Sequence, residues 1–328
     1  MRRKPKLGFF PPSERDDSLA IRLEGIEKRY GETIALHPFE LSVKAGETLG
    51  IIGPDGGGKS TLLRTLATLI LPDAGRGTVC GHDLFKEYKQ IRRAIGYMPQ
   101  RFSLYGDLTV YENMRFFADV FGLSRARFGE RVEELLAFNA LGPFLDRKAF
   151  NLSGGMKQKL ALSCILIPTP KLVILDEPTT GVDPVSRQEF WQILASLRTA
   201  GVTIVVTTPY MDEAQACDRV CLLHRGKRLI EDTPAEIVRG FPLSVLEVRG
   251  NDLLRHFEAF QALPEVASVT AFGDRLHLYT EKSSALHSRL QAMNLPDLRI
   301  SAGNASIEDV FVSFVSEEIE ETKEVSRG

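Results

Sequence analysis

Residues 49–61 read Leu49-Gly50-Ile51-Ile52-Gly53-Pro54-Asp55-Gly56-Gly57-Gly58-Lys59-Ser60-Thr61, and this stretch decides the fold. Gly53 to Ser60 fits GxxxxGK[ST], the pattern of a phosphate-binding loop. The apolar run 49–52 supplies a strand before the loop, and residues 61–69 carry a helical pattern after it. The loop works only at such a strand-to-helix turn, where backbone N–H groups wrap the phosphates and the helix start adds positive potential. Gly53, Pro54, Asp55, Gly56, Gly57, Gly58, Lys59, Ser60 and Thr61 are therefore candidate nucleotide-binding residues. In this reading Lys59 reaches the β- and γ-phosphates and the Ser60 hydroxyl binds Mg²⁺.

Further along, Leu172-Val173-Ile174-Leu175-Asp176-Glu177 is an apolar run ending in two carboxylates. Such a run reads as a buried parallel strand that presents its acids at the carboxyl end, where open α/β sheets bind ligands. Asp176 fits a Mg²⁺-holding role. Glu177 is placed to orient or deprotonate the attacking water.

The chain as a whole supports an enzyme built on this core. It has 328 residues, 43% hydrophobic and 26% charged, with a formal net charge of -2. That length suggests two domains. With 41 Lys+Arg against 43 Asp+Glu there is no basic excess, so a nucleic-acid partner is not expected. No apolar run approaches the roughly 20 residues of a spanning helix. The basic start (Arg2, Arg3, Lys4, Lys6) lacks the apolar stretch of a secretory signal. The four cysteines have no CxxC spacing and read as reduced thiols, so the chain is expected to be soluble and cytoplasmic.

Short β-rich runs alternate with helical patterns over residues 19–240, which argues for a largely parallel sheet covered by helices. Residues 108–140 read as helices, with Met114, Phe117, Val120 and Phe121 at helical spacing. The expected organisation is a polar tail over 1–18, a catalytic domain over 19–240 with a helical subdomain at about 101–165, an accessory domain over 244–316 and an acidic tail over 317–328. Beyond a break at Gly240–Pro242 the order βαββαβ suggests a small α+β, ferredoxin-like unit. Within it, Gly273 and Asp274 mark a hairpin, and a helix is expected over 251–261. His256, His277 and His287 are scattered and suggest no metal cluster.

Between the two core motifs lies Asn151-Leu152-Ser153-Gly154-Gly155-Met156-Lys157-Gln158, followed by a helical pattern at 159–165. LSGG at this distance ahead of LVILDEP resembles the signature motif of ATP-binding-cassette (ABC) ATPases. The resemblance covers about residues 19–240. It implies the P-loop NTPase fold of that family, a mixed sheet core with a helical subdomain, and ATP and Mg²⁺ as ligands. It also implies that Ser153, Gly154 and Gly155 grip the γ-phosphate bound by an opposite subunit. By the same resemblance Tyr30 stacks on adenine, and Gln100 joins the Mg²⁺ site to the transmembrane interface. Asp183, in Gly181-Val182-Asp183-Pro184, contacts the opposing site. Glu177, Gln100 and Lys59 form the implied catalytic set, and Ser60, Gln100 and Asp176 the implied metal set.

One departure changes the mechanistic expectation. In Thr208-Pro209-Tyr210-Met211-Asp212-Glu213-Ala214 the family normally carries His where this chain has Pro209. That histidine contacts the γ-phosphate and links it to the water and the glutamate. Proline offers neither a side-chain donor nor a backbone N–H. The site is therefore expected to bind ATP but hydrolyse it slowly, and to pair with a second, His-bearing cassette. Asp55 and Gly57, where Asn and Ala or Ser are common, are expected to be tolerated.

Each ABC site is shared between two subunits, so the resemblance implies a homo- or heterodimer. It also implies separate transmembrane permease subunits, which would seat a helix near Gln100 and residues 104–113, and a peripheral place on the cytoplasmic face of a bacterial inner membrane. Within the family the chain resembles the drug-export ATPases of the daunorubicin-resistance type. The resemblance rests on Gly-Met after Ser-Gly, on Tyr-Met-Asp-Glu-Ala, and on the ending Ser306-Ile307-Glu308-Asp309-Val310-Phe311. Efflux of drugs or other hydrophobic compounds is what this implies. A self-sufficient homodimeric exporter, a non-transport ABC ATPase and an inactive regulatory subunit are the alternatives. The accessory domain is expected to serve as a dimer contact.

Overall fold

A computed structural model describes residues 19–101, 104–293, 295 and 297–325, with side chains through Ser316. The expected tail over 1–18 and the last residues of the expected acidic tail, 326–328, lie outside the described residues. Contacts divide the chain into two compact units, one ending at Pro234 and the other beginning at Ala235. The division falls a few residues before the Gly240–Pro242 break, within the helix Pro234–Arg239.

The first unit holds two sheets. One has six strands in the order Lys227–Asp232, Arg219–His224, Thr48–Ile52, Thr203–Thr208, Leu172–Asp176 and Ile95–Met98. Its first pair is antiparallel and the rest are parallel. The other is antiparallel, in the order Thr33–Lys44, Leu19–Tyr30, Ala74–Val79, His82–Asp83. The central strands Thr48–Ile52 and Leu172–Asp176 are buried along their whole length, as apolar parallel strands must be when both faces are covered. Leu49, Ile51 and Ile174 meet Ile21, Phe39 and Leu41 of the antiparallel sheet and Leu62, Leu63 and Leu66 of the helix Lys59–Leu66 in one core. At about 25 cal/mol per Å², each such side chain contributes roughly 1.5–3 kcal/mol on burial.

The helix after the phosphate loop runs Lys59–Leu66 and stops short of the expected residue 69. Thr68, at φ 57°, turns the backbone left-handed and closes the end, with its N–H donating to the Thr65 carbonyl. Three helices, Val110–Val120, Arg125–Asn139 and Gly154–Leu166, fill the region expected to be a helical subdomain. Thr109 and Glu112 close a capping box at the first. Ser153 starts the third five residues earlier than the helical pattern suggests, accepting the Met156 N–H.

The second unit places its four strands in the order Ser268–Phe272, Arg275–Thr280, Ser244–Gly250, Leu298–Gly303, all antiparallel. Helices Phe257–Gln261 and Ser283–Ala292 connect them, and Leu246, Val248, Phe260, Leu278, Leu286 and Leu290 form their core. The helix expected over 251–261 is shorter. Asp252 sits at φ 50° and a 3₁₀ turn, Leu253–His256, precedes the α-helical part. The final helix, Ile307–Val325, runs into the segment expected to be an acidic tail. No described helix is long and apolar enough to cross a membrane.

Candidate functional site

The sheet order itself builds the site. Thr48–Ile52 lies beside Thr203–Thr208, which lies beside Leu172–Asp176, and their carboxyl ends point the same way. The phosphate loop leaves the first strand, Asp176 and Glu177 close the third, and Thr207 is in register with Asp176. Gly58, at φ 100°, makes the turn into the helix, where an added Cβ would lie 2.6 Å from the Ala35 carbonyl oxygen. Only glycine fits there.

Lys59 is 3% exposed. Its ammonium donates to the carbonyls of Gly53 at 2.9 Å and Pro54 at 3.0 Å, and pairs with Glu177 Oε1 at 3.0 Å. These three contacts use all three ammonium protons. Asp55, on the loop's exposed rim, is 3.7 Å from the same nitrogen. Glu177 is itself 5% exposed and takes the Gln100 amide N–H at 2.8 Å on its other oxygen. Its backbone is left-handed, φ 50°, and its N–H donates to Thr207 Oγ1 at 3.0 Å. A glutamate held in that conformation stores strain, as functional sites often do.

Asp176 is fully buried. Its Oδ1 accepts from Ser60 Oγ and Thr207 Oγ1, each at 2.9 Å. Burial raises its pKa above the usual carboxylate value, opposed by these two hydrogen bonds. Its Oδ2 is buried with no hydrogen-bond partner among the described residues. An orphaned carboxylate oxygen on the residue that holds the Ser60 hydroxyl, with Gln100 lining the same cleft as Ser60, offers the oxygen donors that Mg²⁺ takes. Ser60, Asp176 and Gln100 would hold the ion, which when bound neutralises charge on transferring phosphates.

Tyr30, Asp55, Gly56, Gly57, Gly58, Lys59, Ser60, Thr61, Gln100 and Glu177 line one cleft of about 520 Å³. Gly53 and Pro54 serve it through the carbonyls that hold Lys59. Ser153, Gly154, Gly155 and Asp183 do not line it. Ser153 caps the helix Gly154–Leu166 and Asp183 caps Pro184–Thr199, its carboxylate accepting the Ser186 N–H at 2.9 Å. Gly155 lets those helices touch, since a Cβ there would come within 2.5 Å of Ser186. Both capped helix starts are thus positioned together, away from this chain's own cleft.

Four lining residues escaped sequence reasoning, Thr33, Ile34, Ala35 and Arg225. They come from a strand edge and a hairpin turn that carry no motif. Pro209 follows Thr208, whose hydroxyl accepts the Tyr210 N–H at 3.0 Å. The segment after it is anchored firmly. Arg187 lies 4.1 Å from the Tyr210 ring and pairs with Glu213 at 3.0 Å, while Thr179 Oγ1 donates to the other Glu213 oxygen at 3.1 Å. No histidine lines the cleft among the described residues.

A protein-family profile described as ABC transporter matches residues 36–180. The probable multidrug ABC transporter ATP-binding protein YbhF of Escherichia coli (strain K12) is 37% identical over 302 residues, 90% of this chain. The chain spans about half, 52%, of that relative's length. The Nod factor export ATP-binding protein I of Rhizobium sp. (strain N33) is 36% identical over 304 residues, covering 92% of this chain and 99% of the relative. Among solved structures, the ATP-binding cassette MJ0796, a dimer in a post-hydrolysis state bound to ADP and Pi, matches with a TM-score of 0.59 and 30% identity. That match covers 65% of this chain and 98% of the cassette.

Proposed function

This chain belongs to the ABC transporter ATP-binding family, and on that premise we propose that it is the ATP-hydrolysing subunit of an exporter whose own nucleotide site is slow and works beside a second, His-bearing cassette. The observation that carries the ATPase reading is the convergence of Lys59, Ser60, Asp176, Glu177 and Gln100 at one cleft. Export is supported by the names of the two relatives, one of multidrug and one of Nod factor export. The proposed cargo is drugs or other hydrophobic compounds, carried through separate membrane subunits.

The residues divide the work. The loop N–H groups and Lys59 bind the β- and γ-phosphates, and Tyr30, 48% exposed at the cleft's edge, offers its ring to adenine. Phosphate oxygens compete with Glu177 for the Lys59 ammonium. Binding therefore frees the Glu177 carboxylate to accept a proton from water. Ser153, Gly154, Gly155 and Asp183 act on the site of an opposing cassette; that cassettes of this kind pair is supported by the dimeric MJ0796 structure. Pro209 offers the γ-phosphate no donor, which slows the step.

Gln100 also lines a second cleft of about 390 Å³ with Arg101, Leu104, Phe150, Gly154 and Lys157. Phe150 is 77% exposed there. A helix of a permease fits such a groove, and Gln100 would carry its movement to Glu177 and the metal site. The chain would then sit peripherally on the cytoplasmic face of the membrane. The second unit is assigned to dimer contact, and truncation at residue 244 is expected to weaken dimerisation in sedimentation; an unchanged dimer constant overturns that assignment.

The test of the functional reading is Mg²⁺-ATP binding and turnover by the purified chain, with Lys59→Ala as the binding blank and Glu177→Gln as the turnover blank. Failure of the wild type to bind ATP sinks it. Co-purification with ribosomes instead of membrane subunits supports a non-transport role.

A further inference from the structure

The antiparallel strands Arg219–His224 and Lys227–Asp232 pair His224 with Lys227, which leaves Arg225 and Gly226 as a two-residue turn. Both turn residues have positive φ, 46° and 73°. A two-residue hairpin of this hand favours Asn-Gly or Gly-Gly. An arginine in left-handed backbone is strained, and a glycine would remove the strain. The turn is also fixed in place. The Gly226 N–H donates to the Gly57 carbonyl at 2.9 Å, in the middle of the phosphate loop, and the Gly226 carbonyl accepts the His37 N–H at 3.0 Å. A Cβ on Gly226 would lie 2.5 Å from the Ala35 oxygen.

This seat puts Arg225 in the wall of the cleft shared by Tyr30 and the phosphate loop. Among the described residues its guanidinium makes no hydrogen bond, ion pair or ring contact. Lys59, the other cation of the wall, has all its protons engaged. The cleft thus holds one cation that must exchange protein contacts for phosphate and one held ready on a strained, anchored turn.

We propose that Arg225 is a nucleotide-binding residue that grips the phosphates common to ATP and ADP; the proposal rests on the ATP-site reading above. The commitment to the shared phosphates is drawn from the anchor at Gly57 in mid-loop, whereas Glu177 and Gln100 meet at the hydrolytic end. A planar guanidinium suits two phosphate oxygens at once, and charge-assisted hydrogen bonds are the strong ones.

Isothermal titration with ATP and with ADP tests this on wild type, Arg225→Gly, Arg225→Asn and Arg225→Lys, beside Lys59→Ala. Gly and Asn both accept the left-handed turn, so their melting temperatures are expected to stay at or above the wild-type value. Their dissociation constants for ATP and ADP are expected to rise about tenfold together, the size of one charge-assisted contact. Arg225→Lys is expected to fall between, and the salt dependence of binding to shrink in the uncharged variants. Unchanged constants in folded Arg225→Gly overturn the proposal, and a loss for ATP alone overturns its assignment to the shared phosphates. If the wild type itself binds neither nucleotide, the ATP-site reading fails, an outcome distinct from both.

Discussion

Pro209→His is expected to raise Mg²⁺-ATP turnover by about 10²-fold, with Glu177→Gln marking the floor. The magnitude is that of one positioned donor or acid–base group restored to a preorganised site. The rest of the apparatus is already in place. Thr207 donates to Asp176, Glu177 is fixed by the Thr207 hydroxyl, and the segment after Pro209 is tied down through Tyr210, Arg187 and Glu213. A histidine enters at the end of a buried strand, on backbone that these contacts hold without help from the proline ring. By the family resemblance its imidazole would contact the γ-phosphate and link it to the water and Glu177, a role for which proline has no donor. The melting temperature is expected to move by no more than a few degrees, so any gain in rate reports chemistry. A wild type that already turns over well above the Glu177→Gln floor, and gains nothing from histidine, sinks the slow-site reading and favours a self-sufficient homodimer.

The parts of this site legible in the sequence are those whose chemistry is local. Gly53 to Ser60 and Leu172 to Glu177 each carry a functional group at or just beyond a strand's end within a few residues, and the structure sets those strands on either side of Thr203–Thr208, with Ser60 bonded to Asp176. Their meeting at one cleft required only that parallel strands end on the same side. Arg225 was illegible because its place depends on a hydrogen bond from Gly226 to Gly57, a contact between segments far apart in the chain. Helix ends were misjudged for a related reason. Thr68 and Asp252 take left-handed backbone that no apolar periodicity reveals. His277 reads as one of three scattered histidines, yet it is buried 2.6 Å from Asp309, a partner on a helix beyond two more elements.

That pairing carries the second large effect, in the stability of the C-terminal unit. Asp309 is fully buried, and four donors converge on it. His277 Nδ1 lies at 2.6 Å and Tyr279 OH at 2.7 Å from Oδ1; the Ser306 N–H at 2.7 Å and hydroxyl at 2.6 Å reach Oδ2. The carboxylate therefore joins the strand Arg275–Thr280 to the start of the helix Ile307–Val325. Burial alone would raise its pKa, but the bonds from His277, Ser306 and Tyr279 outweigh it and hold the value at about 2. Asp309→Ala leaves the buried His277 and Tyr279 without this acceptor and uncaps the half-buried Ser306, and is expected to destabilise the unit by about 4 kcal/mol. Asp309→Asn keeps the shape and one acceptor, and is expected to cost about 2 kcal/mol.

The pH dependence follows from the sign of the shift. The folded pKa lies below the ordinary 3.8, so the stabilisation is complete above pH 4 and is lost as pH falls towards 2. A displacement of that size corresponds to about 2 kcal/mol. Glu247, held at about 2 by Arg249 and Arg275, titrates in the same window. The difference between wild type and Asp309→Asn isolates the Asp309 contribution, because Glu247 is common to both. Hydrogen exchange on peptides from residues 244–316 of the full chain reads the effect, while fluorescence of Trp191 reports the first unit, whose transition is expected not to move. Acid limbs that superimpose in the two proteins would show that the buried charge of Asp309 contributes nothing, and that the network holds the helix by shape and neutral hydrogen bonds alone.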